Sequence, residues 1–381
     1  MSADLRPAWA EINAEALCAN YRILSSIAAP ARVAAVVKAD GYGHGAVEVS
    51  KVLFGAGCRD FAVAFVDEGV ELRRAGIEGE ILVLSEAPAE ALEIAAQHDI
   101  SVTIYSVQAA KLASTISSPT NPEMDRLRMH LKIDTGMYRV GVSPSEIDSI
   151  ADAIGTGDLE GAWSHFAVAD ETSEESRRFT QLQIERFHIA LRRLAEKGVW
   201  PRQVHISNTA GLLNYPDARF SKVRAGIGLY GYAPSQSCVG PELFPVLSLV
   251  TKVAFIKEVE AGERPSYGRA RALTKRASIA TIPIGYADGV PRALFSGDGE
   301  VLIGGRRYPL AGAVTMDQIL VDLGENSDVS IGDRVVLIGQ DDGDSVWADE
   351  WATRCRTITW EILCGISKRI PRRTVGAGHG N

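Results

Sequence analysis

Several marks of familiar protein classes are missing from this chain. No run of about 18 uninterrupted apolar residues occurs, so the sequence predicts no membrane-spanning helix. No basic run occurs either, and 40 Lys and Arg against 48 Asp and Glu give a net charge of −8. An acidic chain of this kind is a poor candidate for binding nucleic acid through its phosphates.

Cysteine is scarce and widely spaced. The five cysteines include no C-x-x-C pair, and their odd number argues against both a disulfide framework and a zinc site. We therefore expect buried, reduced thiols and no bound metal. The positions are Cys18, Cys58, Cys238, Cys355 and Cys364.

The composition that is present favours an enzyme with more than one domain. Hydrophobic residues make up 46% of the chain and charged residues 23%, close to the average for soluble globular proteins. At about 150 residues per domain, a chain of 381 residues predicts two or three domains. The opening segment, MSADLRPAWAEIN, lacks the apolar core of a secretory signal, so we expect a cytoplasmic protein.

From residue 31 onward, short apolar runs alternate with helix-length amphipathic segments. Strands that alternate with helices form parallel sheets, and eight such units over about 200 residues fit an α/β fold, the (β/α)8 or TIM-like barrel. A doubly wound open sheet is the alternative, but its usual G-x-G-x-x-G spacing is missing from the first turn, KADGYGHG. The eight predicted strands are 31–38, 61–65, 80–85, 101–106, 126–134, 159–165, 203–208 and 222–231.

After Tyr232 the pattern changes to short β-rich runs separated by turn residues. We predict a barrel over 10–235 and a C-terminal, mostly β domain over 236–381. The N-terminal strand within 1–13, which precedes a helix capped by Asn13, is expected to join the β domain. The predicted C-terminal strands are 250–259, 277–285, 300–305, 318–324 and 333–339, with one helix at 345–356.

Polar residues gather at the carboxyl ends of the predicted barrel strands, where barrel enzymes carry their chemistry. Any one of them could be a snorkelling or satisfied structural group, so only the set is informative. A lysine at one strand end, with the candidate phosphate-binding residues Thr209, Gly226 and Gly228 after later strands, suggests a phosphorylated aldehyde as ligand. Pyridoxal phosphate or an aldolase's phosphorylated sugar would fit, although the glycines could simply permit tight packing. The strand-end set is Lys38, Lys132, Asp134, Arg139, His165, His205, Asn208 and Arg224.

Nine segments resemble, in order, the motifs of alanine racemases, which are pyridoxal-phosphate enzymes with a barrel and a β domain. The resemblance spans nearly the whole chain and implies an isomerase that acts as a homodimer with composite active sites. The segments are AVVKADGYGHGA (35–46), HLKIDTGMYRVG (130–141), SHFAVAD (164–170), HISNTAGLL (205–213), VRAGIGLYG (223–231), SYG (266–268), IPIGYADG (282–289), VTMDQILVDL (314–323) and PRR (371–373).

The resemblance also implies roles for individual residues. Lys38 would hold pyridoxal phosphate as an internal aldimine and act as the base on one face of the substrate. Tyr267 of the partner subunit would be the base on the other face, and Arg224 would face the pyridine nitrogen. The residues implied around the phosphate are Tyr42, Asn208, Thr209, Gly226, Ile227 and, where the family usually has Tyr, Trp360.

Further roles concern the ring and the substrate. Arg139 would reach the ring hydroxyl and the substrate, beside Lys132, a position that is often carbamylated in the family. His165 and His205 would join Arg224 in a hydrogen-bond network. The residues implied at the substrate carboxylate and the entrance are Met316, Asp317, Tyr286 and Arg292.

The chain departs from the family pattern along the substrate corridor, where Trp360 replaces Tyr, Ala313 replaces a common Arg, and Thr315 replaces a frequent Cys. We expect racemisation of alanine, with serine or another amino acid as the alternative substrate. A catalytically weak protein that only binds the cofactor is a further alternative. A decarboxylase is disfavoured, because it would usually place a carboxylate where Arg224 stands. The implied role is D-alanine supply for a cell wall, or a specialised biosynthesis.

Overall fold

A computed structural model describes residues 6–116, 127–235, 237–238 and 240–376. The chain forms two compact units, which are described separately. The barrel unit comprises Leu17–Gly41 and Ala46–Phe244, and the β unit comprises Met1–Ala16, Tyr42–Gly45 and Pro245–Asn381.

The strands and helices have the following bounds in the described residues. The strands are β1 Ala8–Asn13, β2 Arg32–Val36, β3 Asp60–Val63, β4 Glu80–Glu86, β5 Ser101–Ile104, β6 Met129–Lys132, β7 Gly157–Trp163, β8 Val199–His205, β9 Lys222–Ala225, β10 Leu247–Lys252, β11 Phe255–Val259, β12 Ala277–Ile282, β13 Glu300–Ile303, β14 Arg306–Pro309, β15 Ile319–Asp322, β16 Arg334–Asp341, β17 Asp344–Val346 and β18 Arg372–Val375. The helices are α1 Ala14–Ala28, α2 Ala46–Gly55, α3 Val66–Arg74, α4 Ala89–Gln97, α5 Val107–Ile116, α6 Ile147–Ile154, α7 Glu174–Glu196, α8 Thr209–Asn214, α9 Ala348–Cys355 and α10 Thr359–Gly365.

The barrel unit is a nearly closed ring of eight parallel strands, in the order β8-β7-β6-β5-β4-β3-β2-β9. Hydrogen bonds from Ser221 N to Val204 O (3.1 Å) and from Arg224 N to Ser207 O (2.9 Å) link the two ends of this order. The predicted fold class is therefore confirmed. The short apolar runs form strands because both their faces are buried, and all four residues of β3, for example, are buried.

Three of the predicted strand ranges, the fifth, the seventh and the last, need correction. The seventh is Val199–His205 and not 203–208, because Asn208 caps α8 and does not belong to the strand. The last barrel strand ends at Ala225, not at 231, because Gly226 leaves the strand conformation and 227–230 form a 3-10 turn. The fifth begins at Met129, and its predicted first residue, 126, lies outside the described residues.

The β unit contains two sheets, in agreement with the predicted mostly β C-terminal part. One sheet has the order β14-β13-β16-β10-β1-β18, with β17 paired to β16, and the other has the order β11-β12-β15. The N-terminal strand β1 pairs antiparallel with β10 and parallel with β18. Asn13 caps α1, as expected, because its Oδ1 accepts a hydrogen bond from Ala16 N at 3.0 Å.

Some expectations for the β unit were wrong or incomplete. The run 250–259 is two strands, β10 and β11, because its halves pair with different partners in different sheets. The short strands β14, β17 and β18 were not predicted, since three or four residues leave almost no periodic signal. The seven-residue helix α10 was not predicted either.

The cysteines are partly as expected. None of the five, all of which lie in described residues, forms a disulfide. Only Cys58 and Cys238 are buried, whereas Cys18 and Cys355 are half-buried and Cys364 is exposed. The expectation of burial was therefore wrong for three of them. Among the helices that the structure describes, none has the length and apolar character to cross a bilayer.

Candidate active site

Lys38 opens an unusual turn at the carboxyl end of β2. Ala39, Asp40, Gly41 and Tyr42 all have positive φ, between 53° and 61°. Such backbone costs about 1–3 kcal/mol for each non-glycine residue and persists only where neighbouring contacts enforce it. The lysine is thus presented by a backbone that the surrounding contacts must hold in place.

Hydrogen bonds from outside the turn provide that enforcement. Glu68 in α3 accepts from Ala39 N at 2.8 Å through Oε1, while its other oxygen accepts from Ala64 N. Asp40 Oδ1 accepts from Ala46 N at 2.9 Å, which ties the turn to the start of α2. The position of Lys38 is therefore fixed by contacts on both sides of the turn.

Arg224 is buried in the barrel and bound by neutral acceptors. Its Nη1 donates to His205 Nδ1 at 2.6 Å, and its Nη2 donates to His165 Nδ1 at 3.1 Å. Nη2 also donates to the backbone oxygens of Ser164 and Ile206, at 2.7 and 3.0 Å. No carboxylate pairs with Arg224 among the residues that the structure describes, and burial lowers its pKa to about 9. The barrel thus holds a cation whose charge is not compensated by an anion in those residues.

The two histidines that contact Arg224 are neutral acceptors at their Nδ1 atoms. A guanidinium can only donate, so the nitrogen that faces it must carry a lone pair. Burial, and then the charge of Arg224, lower the pKa of both His165 and His205 well below the usual value. Both imidazoles therefore carry their proton on Nε2.

Lys132, at the end of β6, lies close to several other cations. Burial, and then the charges of Arg139, Arg224 and Lys38, lower the pKa of Lys132 to about 7, while Asp134 opposes them. We call the set Lys38, Lys132, Arg139 and Arg224 the cationic cluster. A cluster of this kind favours an anionic ligand or a neutralised lysine.

The loop that carries Arg139 is organised by Asp134. The Oδ1 atom of Asp134 accepts from the backbone N–H groups of Gly136 and Met137, both at 2.9 Å, and of Tyr138 at 3.2 Å. One carboxylate oxygen thus fixes the start of the loop, and Arg139 itself is exposed.

The predicted phosphate residues after β8 and β9 lie together. Thr209 Oγ1 accepts from Gly226 N at 3.1 Å and faces Gly228 N at 3.5 Å. Asn208 caps α8, because its Oδ1 accepts from Gly211 N at 3.0 Å. A Cβ atom on Gly228 would lie 2.7 Å from Thr209 Cγ2, so this contact requires glycine.

In the β unit, three loops bring other predicted residues to one surface. Ser266 Oγ donates to Ala313 O at 2.6 Å, and Tyr286 N donates to Thr315 O at 2.9 Å. We call the side chains of Tyr267, Tyr286 and Met316, which are 72%, 43% and 53% exposed, the aromatic surface.

The remaining predicted residues of the β unit occupy different settings. Asp317 forms an ion pair with Arg369 at 2.7 Å, so its carboxylate already has a cationic partner. Tyr42 is buried, and burial raises the pKa of its phenol. The segment Tyr42–Gly45 packs against α10, since a Cβ atom on Gly43 would lie 2.1 Å from Leu363 O. Trp360, in the same helix, is half-buried, and Arg292 is exposed.

Comparison with known proteins identifies the family. The models for the N-terminal and C-terminal domains of alanine racemase match residues 12–234 and 246–374. The chain belongs to the alanine racemase family. Its relatives in this family include the alanine racemase of Symbiobacterium thermophilum, which is 42% identical over 97% of both chains.

Solved structures of the alanine racemase family agree with this fold. The alanine racemase of Bacillus anthracis, solved with bound L-Ala-P, has a TM-score of 0.90 at 35% identity and covers 99% of this chain and 97% of its own. The histidine racemase of Leuconostoc mesenteroides has a TM-score of 0.86 at 27% identity and covers 98% and 99%. Racemases with this same fold are thus named for different substrates, alanine in one case and histidine in the other.

Several residues around the alanine racemase motifs escaped the sequence reasoning. Trp163 lies under two cations, with Lys132 Nζ 4.4 Å and Arg224 Cζ 4.7 Å from its ring centre. Glu68 holds the lysine turn, and His130 and Glu80 extend the contacts of His205. Two signals were available for His130, because it opens the motif segment 130–141 and lies inside a buried strand, two residues before Lys132.

Proposed function

We propose that the protein interconverts L- and D-alanine with pyridoxal phosphate as its cofactor. The observation that carries the proposal is full-length membership of the alanine racemase family, combined with Lys38 at a barrel mouth that also holds the buried Arg224. The phosphate of the cofactor and the carboxylate of the substrate are both anionic at neutral pH, which suits the cationic cluster.

The donor set fits pyridoxal phosphate. Lys38 would hold the cofactor, and Thr209, Gly226 and Ile227, with Asn208, Tyr42 and Trp360, would surround its phosphate. Arg224, which can only donate, would face the pyridine nitrogen and discourage its protonation. When bound, the cofactor supplies the electron sink that makes the α-proton of an amino acid removable.

Inversion requires proton transfer on both faces of the substrate. We assign one face to Lys38 Nζ and the other to the phenol oxygen of Tyr267 from a second copy of the chain. Each atom removes the α-proton in one direction and returns it in the other. Arg139 would position the substrate and the cofactor ring.

A homodimer with composite sites accounts for the aromatic surface. Tyr267, Tyr286 and Met316 are large, exposed in the single chain and gathered on one surface, and an exposed patch of this kind marks an interaction site. In a dimer they would line the partner's substrate site together with Asp317. Because the carboxylate of Asp317 already pairs with Arg369, its backbone and not its side chain would contact the substrate carboxylate. We place the enzyme in the cytoplasm, where D-alanine would supply a cell wall or a specialised biosynthesis.

Lys132 is proposed to carry a carbamate. A pKa near 7 leaves much of the amine unprotonated at neutral pH, and only this form attacks carbon dioxide. A C–N bond forms, the nitrogen loses a proton, and the lysine becomes an anion beside Arg139. The modification would convert a repulsive pair into an attractive one.

Three residues of the substrate corridor bear on the choice of substrate. Trp360, Ala313 and Thr315 depart from the family pattern, and the histidine racemase of Leuconostoc mesenteroides, which has the same fold, shows that other substrates are compatible with this architecture. Serine or another amino acid is therefore the second candidate.

The decisive experiment is α-proton exchange, followed by NMR in heavy water with purified protein, pyridoxal phosphate and a panel of L-amino acids. Chiral chromatography of the same samples reports inversion. Fastest exchange and inversion with alanine would support the proposal. Faster reaction with another amino acid would reassign the substrate, and bound cofactor without exchange on any substrate would overturn racemisation.

A further inference from the structure

A second polar cluster lies inside the barrel, toward the amino-terminal ends of the strands. Glu80 and Lys222 begin β4 and β9, Asp60 begins β3, and His130 is the second residue of β6. Lys222 Nζ lies 2.6 Å from Asp60 Oδ1 and 3.0 Å from Glu80 Oε2. None of these groups has a role in the racemisation proposed above.

This cluster is connected to Arg224 through two histidines. His205 accepts from Arg224 at Nδ1, and its Nε2 lies 3.3 Å from His130 Nδ1. The other nitrogen of His130, Nε2, lies 3.4 Å from Glu80 Oε1. A continuous line of polar contacts, which we call the histidine relay, thus runs from Arg224 through His205 and His130 to Glu80.

The chemistry of the end groups gives the histidine relay one direction. Arg224 can only donate, so His205 accepts at Nδ1 and carries its proton on Nε2. That proton makes His130 accept at Nδ1 and carry its own proton on Nε2. An ionised Glu80 can only accept, so it matches the proton on His130 Nε2. Every donor in the line therefore meets an acceptor.

Glu80 is held in the orientation that this direction requires. Its Oε2 accepts from both Lys222 Nζ at 3.0 Å and Gln203 Nε2 at 2.8 Å. At 3.4 Å the contact between Glu80 Oε1 and His130 Nε2 is longer than an ordinary hydrogen bond, and neither atom has any hydrogen-bond partner among the described residues, so each is available to the other. Burial would raise the pKa of Glu80, but His130 and Lys222 together lower it, which keeps the carboxylate ionised.

The barrel also leaves space for the His130 ring. Gly161 in β7 lies opposite His130 in the register of β6 and β7. A Cβ atom on Gly161 would lie 2.2 Å from His130 Nδ1, so any other residue would displace the ring. Both His130 and His205 are fully buried.

We propose that Glu80 and His130 are positioning residues that fix the Nε2-protonated form of His205, and so keep its Nδ1 as an acceptor for Arg224. Neutral acceptors thereby orient Arg224 without a carboxylate beside it, so that its positive charge is not neutralised before it faces the cofactor. This inference rests on the proposed function only for the role of Arg224.

A metal site explains the same cluster less well. Ligand atoms of Glu80, His130 and Glu160 lie within 4.8 Å of one another. However, Gln203 Nε2 donates to Glu160 Oε1 at 2.8 Å as well as to Glu80, and Lys222 adds a positive charge. Donors and a cation at the carboxylates favour hydrogen bonding over cation binding.

Glu80→Gln tests the direction of the histidine relay. Lys222 and Gln203 both need an acceptor at the Oε2 position, so the new amide would place its oxygen there and its NH2 group toward His130. His130 would then have to accept at Nε2 and donate at Nδ1, and His205 would meet Arg224 with a proton on Nδ1. Two donors would face each other. Glu160→Gln removes the same charge nearby, but its half-buried amide can still turn its oxygen toward Gln203, so it is the matched control.

The readout is 15N NMR of protein labelled at histidine, which distinguishes protonated from unprotonated ring nitrogens, with signals assigned from single His→Gln variants. We expect His205 and His130 to be protonated at Nε2 in the unmodified protein and in Glu160→Gln. In Glu80→Gln we expect this form to be lost. If the unmodified protein shows His205 protonated at Nδ1, or if Glu80→Gln leaves both rings unchanged, the inference is wrong.

Kinetics and cofactor binding complete the test. We expect Glu80→Gln to lower kcat/KM by roughly tenfold, the equivalent of about 1.4 kcal/mol, while Glu160→Gln stays near the unmodified rate. If Glu80→Gln does not fold, the tautomer of His205 in the unmodified protein still decides the proposal. Absence of racemisation in the unmodified protein would overturn the proposed function instead, and the NMR result would remain readable.

Discussion

The ammonium nitrogen of Lys132 lies 4.4 Å from the ring centre of Trp163, inside a barrel mouth where three other cations oppose its charge. An aromatic face attracts a cation, but burial and the neighbouring charges prevail, because the pKa of Lys132 falls to about 7. Near neutral pH, Lys132 therefore exists both as the ammonium cation and as the unprotonated, reactive amine.

Carbamylation of Lys132 should therefore depend on pH. Below pH 7 the amine is protonated and cannot add carbon dioxide, so at a fixed concentration of dissolved carbon dioxide the carbamate should increase as the pH rises through 7. 13C NMR of protein equilibrated with 13C-labelled carbon dioxide measures it. Lys132→Arg keeps a positive charge but cannot form the carbamate, so an unchanged signal in that variant would refute the assignment.

Tyr267→Phe should abolish proton transfer on one face. Loss of a general acid–base group typically costs about 10²–10⁴-fold in rate. We expect that loss in at least one direction of racemisation, with the cofactor still bound, as judged by its absorbance. Tyr308→Phe, which removes a hydroxyl from β14 in the same unit, serves as the control. Unchanged rates in both directions for Tyr267→Phe would rule out the two-base assignment.

Gly228→Ala should weaken cofactor binding. The new Cβ atom would lie 2.7 Å from Thr209 Cγ2 and would push Thr209 away from Gly226. A displacement of this size can cost roughly 10- to 100-fold, which we expect in the Kd of pyridoxal phosphate measured by absorbance titration. Gly55→Ala at the end of α2, where a Cβ atom would meet nothing within 4 Å, should leave the Kd unchanged. Equal Kd values in both variants would remove Thr209 from the phosphate site.

Arg224→Lys should destabilise the protein although the charge is kept. The guanidinium donates to two histidine rings and three backbone oxygens, and an ammonium cannot reach all of them. A buried acceptor left without a donor costs about 1–3 kcal/mol, so the free energy of unfolding in urea should fall by about that amount. The exposed Arg178→Lys in α7 should change it by less than about 0.5 kcal/mol. Similar values for the two variants would show that Arg224 is not specifically held.

Glu80 should make the protein sensitive to acid. Its pKa is lower in the folded chain than in the unfolded chain, so the unfolded state binds more protons as the pH falls toward 4. The stability that this carboxylate provides is present above the unfolded pKa and decreases below it. Urea unfolding between pH 7 and pH 4 should therefore show a smaller loss of stability in Glu80→Gln than in the unmodified protein. An equal or steeper loss of stability in Glu80→Gln would contradict this prediction. The control is Glu48→Gln on the surface, which should lose stability with pH as the unmodified protein does.

Much of the barrel and its motif residues could be predicted from sequence. Strands buried on both faces appear as apolar runs, so Lys132 and His165 could be placed at strand ends. The turn after Lys38 could not, because four consecutive residues with positive φ depend on Glu68, a residue in a different helix. The division of 250–259 into two strands likewise depends on distant pairing partners.

The eight-unit β/α pattern and the family motifs can be recognised without a structure, since hydrophobic periodicity and local residue order are properties of the linear chain. The electrostatics of the site depend on the folded arrangement. The lowered pKa of Lys132 and the direction of the histidine relay arise from side chains on different strands, such as Glu80, His130 and Arg224. Their charges and hydrogen-bond donors interact through space inside a buried barrel, and the spacing of residues along the sequence does not give the distances between these side chains.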